Sequence, residues 1–167
     1  MKSRLAIAMF LLIFWLFPAS IFAGEQSLLS TGQTIYVPVY SHVFSGDKGL
    51  PFNLAAMLSI RNVDLHNSMQ VTSIEYYDND GKLLKNYLDK PRVLGPLASD
   101  HVFIKETDEA GGFGANFIVR WAAAKKINAP IVESIMIGAK SGQGISFRCQ
   151  GRVIAEDGRQ NGPSSRQ

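Results

Sequence analysis

The chain of 167 residues contains a single cysteine, Cys149. One cysteine cannot form an intramolecular disulfide, and zinc sites built from several cysteines are excluded as well. No internal repeat, coiled-coil pattern or linker divides the sequence, which favours one domain. We therefore expect a fold that is held together by the packing of a hydrophobic core.

Motifs of common catalytic sites are scarce. No G-x-S-x-G nucleophile elbow occurs. The glycine-rich run 111–114 lacks the Gly-Lys-Ser/Thr ending of a phosphate-binding loop, and it is typical of a loop with positive φ angles. Asp100 and His101 are neighbours on a predicted strand and point to opposite faces, while Glu75 and Glu133 stand singly. The sequence favours a non-catalytic protein, and the alternative is an enzyme whose site is assembled from distant residues.

Metal-ligand spacing is equally scarce. A blue-copper site needs a histidine and a methionine shortly after its cysteine, and neither follows Cys149. His66 and Met69 form the best local pair, and a copper-handling protein that uses such residues remains an alternative. We expect no metal and no cofactor. The other candidate ligands would meet only through the tertiary fold: His42, His101, Met57 and Met136.

The first residues have the pattern of a secretory signal peptide. Lys2 and Arg4 precede an unbroken apolar run over residues 5–17, and small residues follow it. This pattern predicts a signal peptide over residues 1–23, cleaved between Ala23 and Gly24. The protein is then expected in the periplasm or the extracellular space.

The alternative for this segment is a retained membrane anchor. Residues 5–23 are 19 residues without a charge, just enough to cross a bilayer, although Pro18 weakens such a helix. The protein would then touch the membrane through this segment alone. Removing residues 1–23 leaves 15 basic and 14 acidic residues, so the formal charge falls from +3 to +1. This balance does not support nucleic-acid binding.

Hydrophobic alternation with a period of two residues dominates the rest of the chain, which predicts β-strands. It is clearest in residues 52–61, where one face carries Phe52, Leu54, Ala56, Leu58 and Ile60. Further strands are predicted at 34–44, 71–77, 82–88, 99–105, 115–121, 131–139 and 145–154.

Proline, glycine and alanine mark the exceptions to this pattern. Pro38 cannot donate to a ladder, which predicts that strand 34–44 lies at a sheet edge or contains a bulge. Residues 78–81 predict a hairpin turn. Residues 122–127 are expected to form one helical turn.

About eight short strands without a long helix predict an all-β fold. We expect a two-sheet antiparallel sandwich over residues 24–154, immunoglobulin-like in topology, with a small β-barrel as the alternative. Residues 155–167 contain no apolar residue after Ala155, and a disordered tail is expected there.

Two groups of side chains are candidate binding residues. Strand 34–44 places Tyr36, Tyr40, His42 and Phe44 on one face, where amphipathic aromatic residues suit a partner or a ligand. Packing under a loop, or as the second buried face of a sandwich strand, is the favoured alternative. Four arginines lie opposite core residues of their own strands, where they would form one anion-binding stripe if those strands are neighbours. These are Arg61, Arg120, Arg148 and Arg152. A solvated sheet face, with the arginines paired to Glu and Asp, is the favoured alternative. The alternation places Cys149 in the core as a small hydrophobic residue.

Several runs of the sequence resemble a family of bacterial exported proteins known as domain of unknown function 3124. These runs are YVPVYS (36–41), LSIRN (58–62), YYDNDG (76–81), GANFIVRW (114–121) and GISF (144–147). The resemblance implies a bacterial, exported, single-domain protein. Together with the residues, it favours a non-catalytic binding or accessory module of the cell envelope, whose partner is a protein or a small anionic ligand. Copper handling and an unrecognised enzymatic site remain the alternatives.

Overall fold

The computed structural model describes residues 29–140 and 142–156, which form strands and turns and contain no helix. This part of the chain accordingly has no helix that could cross a membrane. The predicted signal peptide and residues 157–167 of the predicted tail lie outside the described residues. The strands are β1 (Leu29–Pro38), β2 (His42–Ser45), β3 (Leu50–Asn53), β4 (Ala55–Arg61), β5 (Met69–Tyr77), β6 (Leu83–Asn86), β7 (Arg92–Leu94), β8 (Ser99–Ile104), β9 (Asn116–Asn128), β10 (Ile131–Lys140), β11 (Gln143–Gln150) and β12 (Arg152–Glu156).

The strands form two antiparallel sheets and a separate hairpin. The first sheet has the order β12-β1-β9-β5-β6, and β7 also pairs with β5. The second sheet has the order β11-β10-β4-β8, while β2 pairs with β3. The two sheets enclose one hydrophobic core and do not close into a barrel. The predicted two-sheet sandwich is confirmed.

The core follows from the alternation in the sequence. All five apolar side chains of the run 52–61 are buried, as predicted. The first sheet contributes buried side chains that include Ile35, Val37, Ile74, Val119 and Trp121. Full burial of one Val, Leu, Ile or Phe side chain contributes about 1.5–3 kcal/mol. Packing on this scale provides the cohesion that disulfides supply in many exported domains.

Strand β9 is longer than the sequence pattern predicts. Residues 122–127, expected to form a helical turn, continue the strand to Asn128. Ala122 pairs with Gly32 on one side and with Gln70 on the other, so neighbouring strands use both of its backbone edges. Ile127 pairs with Ser30, so residues 123–126 of β9 stand opposite the single residue Thr31 of β1. This bulge in β9 interrupts the alternation, and the local pattern therefore does not predict the strand.

The predicted strand 34–44 is divided into two strands. β1 ends at Pro38, and β2 begins at His42. Of the two predicted outcomes, the edge position does not occur, because β9 and β12 pair with the two sides of β1, whereas register shifts typical of bulges occur in both pairings. The pairing with β12 stops at Tyr36. At Pro38 there is therefore no β12 carbonyl that would require the N–H donor that proline lacks.

The predicted strand 145–154 is also divided, at Gly151. Its first part, β11, belongs to the second sheet, and its second part, β12, belongs to the first. A Cβ atom on Gly151 would lie 2.7 Å from Cγ2 of Ile35, and only glycine lets the chain cross between the sheets this closely. The alternation of residues 145–153 predicts Val153 on the same core face as Cys149, but Val153 is 38% exposed as a result of this crossing.

Asn62 fastens the end of the sandwich opposite to the β2–β3 hairpin. Its buried side-chain amide donates hydrogen bonds to three backbone oxygens, at 2.8, 3.2 and 2.9 Å. These acceptors belong to Asn67, Leu94 and Gly95. Its Oδ1 accepts the backbone N–H of Asp64 at 3.0 Å. One side chain thereby joins the β4–β5 loop to the end of β7.

The carboxylate of Asp64 joins the same loop to the end of β9. It accepts the backbone N–H groups of His66, Asn67 and Asn128 at 3.0, 2.9 and 3.1 Å. The hydrogen bond from His66 contributes most, and together these donors lower the pKa of Asp64 from 3.8 to about 2.

The pKa of Asp64 makes stability depend on pH in a defined window. In the unfolded chain the carboxylate of Asp64 becomes protonated near pH 4, whereas in the folded protein it does so only near about pH 2. Asp64 therefore stabilises the fold above this window, and the contribution is lost as the pH falls through it. We expect Asp64→Asn to be less stable than the wild type at pH 6, with the gap narrowing from pH 4 to pH 2 in urea titrations. A gap of constant size would contradict this account.

Candidate binding surface

Five rings meet at the end of the sandwich where β1 ends and β9 begins. We call them the aromatic cluster: Tyr40, His42, Phe44, Phe113 and Phe147. The ring centroid of Tyr40 lies 5.1 Å from that of Phe113 and 5.6 Å from that of Phe147. The centroid of Phe44 lies 5.1 Å from His42 and 6.0 Å from Phe113. Phe44 is 60% exposed and Phe113 is 49% exposed, so two rings stand open to solvent on half-buried neighbours.

The β2–β3 hairpin carries part of this cluster on one of its faces. His42 pairs with Asn53 and Phe44 pairs with Pro51, and directly paired residues of antiparallel strands share a face. The opposite face carries Phe52, which is buried in the core. The hairpin thus covers the end of the core with one face and presents aromatic rings on the other.

Phe113 belongs to the loop between β8 and β9, which backbone hydrogen bonds attach to the segment after β1. The N–H of Val39 donates to the oxygen of Ala115 at 3.0 Å. The N–H of Ser41 donates to the oxygen of Gly112 at 3.1 Å. Phe113 therefore has a fixed backbone on both sides.

Two glycines allow this loop to form. Gly112 has a φ of +72°, which confirms the positive angle that the glycine-rich run predicts. A Cβ atom on Gly111 would lie 2.0 Å from the hydroxyl oxygen of Tyr76. Glycine at this position therefore lets the backbone of the loop pass close to the buried side chain of Tyr76.

A polar pair stands beside the rings. The side-chain amide of Asn53 donates to Oε1 of Glu109 at 2.5 Å. Asn53 shares the hairpin face of His42 and Phe44, and Glu109 lies in the same loop as Phe113. The surface therefore combines apolar rings with an amide and a carboxylate.

The sequence predicted only part of this surface. Tyr40, His42 and Phe44 lie in the cluster, as the predicted aromatic face has them. Phe113, Phe147, Asn53 and Glu109 were missed, because they reach this end from other strands and from a loop. Phe113 carried a usable signal, since a large apolar residue between glycines, outside any alternation, is a candidate for exposure.

Tyr36 is the member of the predicted face that lies elsewhere. It pairs with Ile118 on β9 and with Arg152 on β12, on the outer face of the first sheet. The chain bends between Pro38 and His42, so side chains before and after the bend no longer share a face.

The four arginines do not form one stripe. Arg120 and Arg152 lie on the outer face of the first sheet, where they pair with Thr34 and Tyr36 of β1. Arg61 and Arg148 lie on β4 and β11 of the second sheet. The inner faces of the two sheets share the core, so the outer faces point in opposite directions. The condition for a shared anion site, that these strands are neighbours, is not met.

Arg120 is part of a hydrogen-bonded network on the first sheet. It donates to Ser73 at 2.9 Å and to Glu75 at 2.5 Å, and the hydroxyl of Tyr77 donates to Glu75 at 2.7 Å. Burial alone raises the pKa of Glu75, but the bonds from Tyr77 and Arg120 outweigh it, and the pKa lies below its ordinary value. The hydrogen bond with Glu75 raises the pKa of Tyr77. The guanidinium of Arg120 is thus already paired with Glu75 and is not free to bind an anionic ligand.

The arginines of the second sheet also have partners within their own sheet. Arg148 donates to Oε2 of Glu133 at 2.9 Å, and Nε of Arg61 donates to the hydroxyl of Ser59 at 3.1 Å. Exposed ion pairs of this kind contribute about 0–1 kcal/mol. The geometry is that of a solvated sheet face.

Cys149 lies less deeply than the alternation predicts. Its side chain packs against the core but is only half-buried, because β11 is the edge strand of the second sheet. Burial raises the pKa of the thiol, and a hydrogen bond with Ser134 opposes this rise in part. The thiol therefore stays protonated and weakly nucleophilic at neutral pH.

His66 and Met69, the local pair that the sequence favours as metal ligands, differ in their burial. No group of three or more His, Cys, Asp or Glu residues that could hold a metal ion occurs in the described part of the chain. Met69 is 1% exposed inside the core, whereas His66 is exposed. The local pair that the sequence favoured thus lies in two different environments.

The chain is similar to a protein family and, weakly, to a solved structure. The crystal structure of Thermotoga maritima 1070 is similar, with a TM-score of 0.43 and 11% identity, over 72% of this chain and 92% of that chain. No curated protein matches the sequence. The model of a protein family of unknown function, DUF3124, matches residues 32–154, almost the entire described sandwich. The chain belongs to the DUF3124 family.

Proposed function

We propose that the protein is an exported, non-catalytic binding module of the cell envelope, and that the aromatic cluster is its binding surface. One observation carries the proposal: Phe44 and Phe113 are 60% and 49% exposed on a base that ring contacts and backbone hydrogen bonds hold in place. A surface that is ordered before binding loses little conformational entropy on binding. Aromatic residues are also enriched where proteins bind their partners.

Export is the second part of the proposal, and the leader pattern of residues 1–23 supports it. The chain with that leader removed carries nearly balanced charge, which leaves apolar and hydrogen-bonding contacts as the main means of recognition.

A photo-crosslinking residue tests the binding surface in the cell. We expect p-benzoylphenylalanine in place of Phe44 to give a crosslinked product in the envelope fraction of the native host. The same residue in place of Leu65 is expected to give none. Leu65 is the matched control, since it is 63% exposed but lies in the β4–β5 loop at the opposite end. The recovered protein is expected to begin at Gly24.

Three results would count against the proposal. Equal labelling at both positions, or none at position 44, would remove the aromatic cluster as the binding surface. A recovered chain that still begins at Met1 would contradict cleavage of the leader.

A further inference from the structure

We propose that the aromatic cluster binds an uncharged glycan, with the C–H face of a sugar ring stacked on Phe44 and Phe113. This inference rests on the proposed binding function and assigns its ligand class. The size, the openness, the polar edge and the charge of the surface support it in turn.

The exposed area of the two rings is small compared with a stable protein interface. If a fully exposed phenylalanine side chain offers about 200 Å², the exposed fractions of Phe44 and Phe113 leave about 200 Å² of aromatic surface. A stable protein–protein interface needs about 800 Å² from each partner. An area of this size fits one or two sugar rings.

The openness of the surface disfavours a fully apolar ligand. Pockets for apolar molecules enclose most of the ligand, about 70–90% of its area. Here the planes of Phe44 and Phe113 meet at 34° with 6.0 Å between the ring centroids, which makes a shallow platform. One side of the ligand must therefore be polar enough to remain in contact with water. A pyranose ring meets this condition, because one face presents C–H groups and its rim presents hydroxyl groups.

The polar edge of the platform matches those hydroxyl groups. The amide of Asn53 has two N–H donors and a carbonyl acceptor, and the carboxylate of Glu109 accepts only. The hydrogen bond that joins them at 2.5 Å holds both side chains beside the rings. Neighbouring sugar hydroxyls both donate and accept, so an amide–carboxylate pair can satisfy two of them. The ring of His42, edge-on to Phe44 at 84°, lies on the same hairpin face.

The charge around the platform favours an uncharged ligand. None of the four candidate arginines belongs to the aromatic cluster, and the charges beside its polar edge are balanced, because Lys85 and Lys105 line the same pocket as Asp108 and Glu109. No excess charge of one sign therefore lies at this edge to attract a glycan that carries carboxylate or phosphate groups. The ligand assigned to this surface is therefore uncharged, and it differs from the small anionic ligand that the arginines suggested.

Three soluble probes test the inference: the hexaoses of chitin, cellulose and starch. We expect the mature chain to bind at least one of them in isothermal titration calorimetry. Phe44→Ala and Phe113→Ala should each weaken that binding about tenfold, which corresponds to one lost ring contact of about 1.4 kcal/mol. Phe44→Trp should retain it, because the larger ring keeps the stacking surface. Asn53→Ala should weaken binding as well, since it removes the amide of the polar edge.

The control is Leu65→Ala, an exposed apolar residue at the opposite end, which should bind like the wild type. Failure of all three hexaoses to bind at millimolar concentration would overturn the glycan assignment. Binding that Phe44→Ala leaves unchanged would overturn it too. If position 44 still crosslinks to a protein or a lipid in the cell, the proposed binding function survives and only the ligand class is wrong. If position 44 gives no crosslink and the hexaoses do not bind, both proposals fail.

Discussion

Asn62→Ala is expected to lower the free energy of unfolding by about 3 kcal/mol. The side chain of Asn62 is 2% exposed, and its amide donates to three backbone oxygens from two segments of the chain. Alanine leaves these acceptors without their donor in a site that water reaches poorly. A buried group that loses its partner costs about 1–3 kcal/mol. Urea denaturation followed by circular dichroism measures the change.

Asn86→Ala is the matched control for this variant. Asn86 is exposed on β6, and its Oδ1 accepts one backbone N–H, that of Leu88, at 3.1 Å. Water can replace this bond, so a loss below about 1 kcal/mol is expected. Similar losses for the two variants would show that the Asn62 network does not fasten the end of the sandwich. A double variant with Asp64→Ala should lose less than the sum of the single losses, because the two side chains share one network.

Gly151→Ala is expected to destabilise the protein by about 2 kcal/mol, the second of the two large effects. The added Cβ would lie 2.7 Å from Cγ2 of Ile35 and 2.8 Å from the backbone oxygen of Val132. That oxygen also accepts the N–H of Gly151 at 2.8 Å, so relieving the contact disturbs the hydrogen bond. The smaller entropy of the unfolded alanine chain offsets about 0.4–1 kcal/mol of the cost.

Gly95→Ala provides the comparison for the glycine variant. No atom lies within 4 Å of a Cβ built on Gly95, and its φ is not in the left-handed region. Its stability should therefore equal or slightly exceed that of the wild type. If Gly151→Ala proves as neutral as Gly95→Ala in urea, then close packing at the crossing between the sheets is not what requires glycine there.

The outcomes along the chain separate local from long-range information. The hairpin turn at 78–81 and the buried face of residues 52–61 were predicted correctly, because each depends on neighbours within a few residues. Residues 122–127 were predicted wrongly. The two ends of this segment are held by residues far along the chain: Ala122 pairs with Gly32 and Gln70, and Ile127 pairs with Ser30.

By itself, the sequence determined that this protein has an all-β fold without an intramolecular disulfide, since alternation and turn residues act locally. Only the tertiary structure decided which side chains share a surface. It placed Tyr36 and two of the four arginines on one outer face, and it gathered Tyr40, Phe113 and Phe147 into one cluster. The physical reason is that pairing between distant strands depends on the whole core and on crossings such as Gly151, and no short stretch of sequence encodes it.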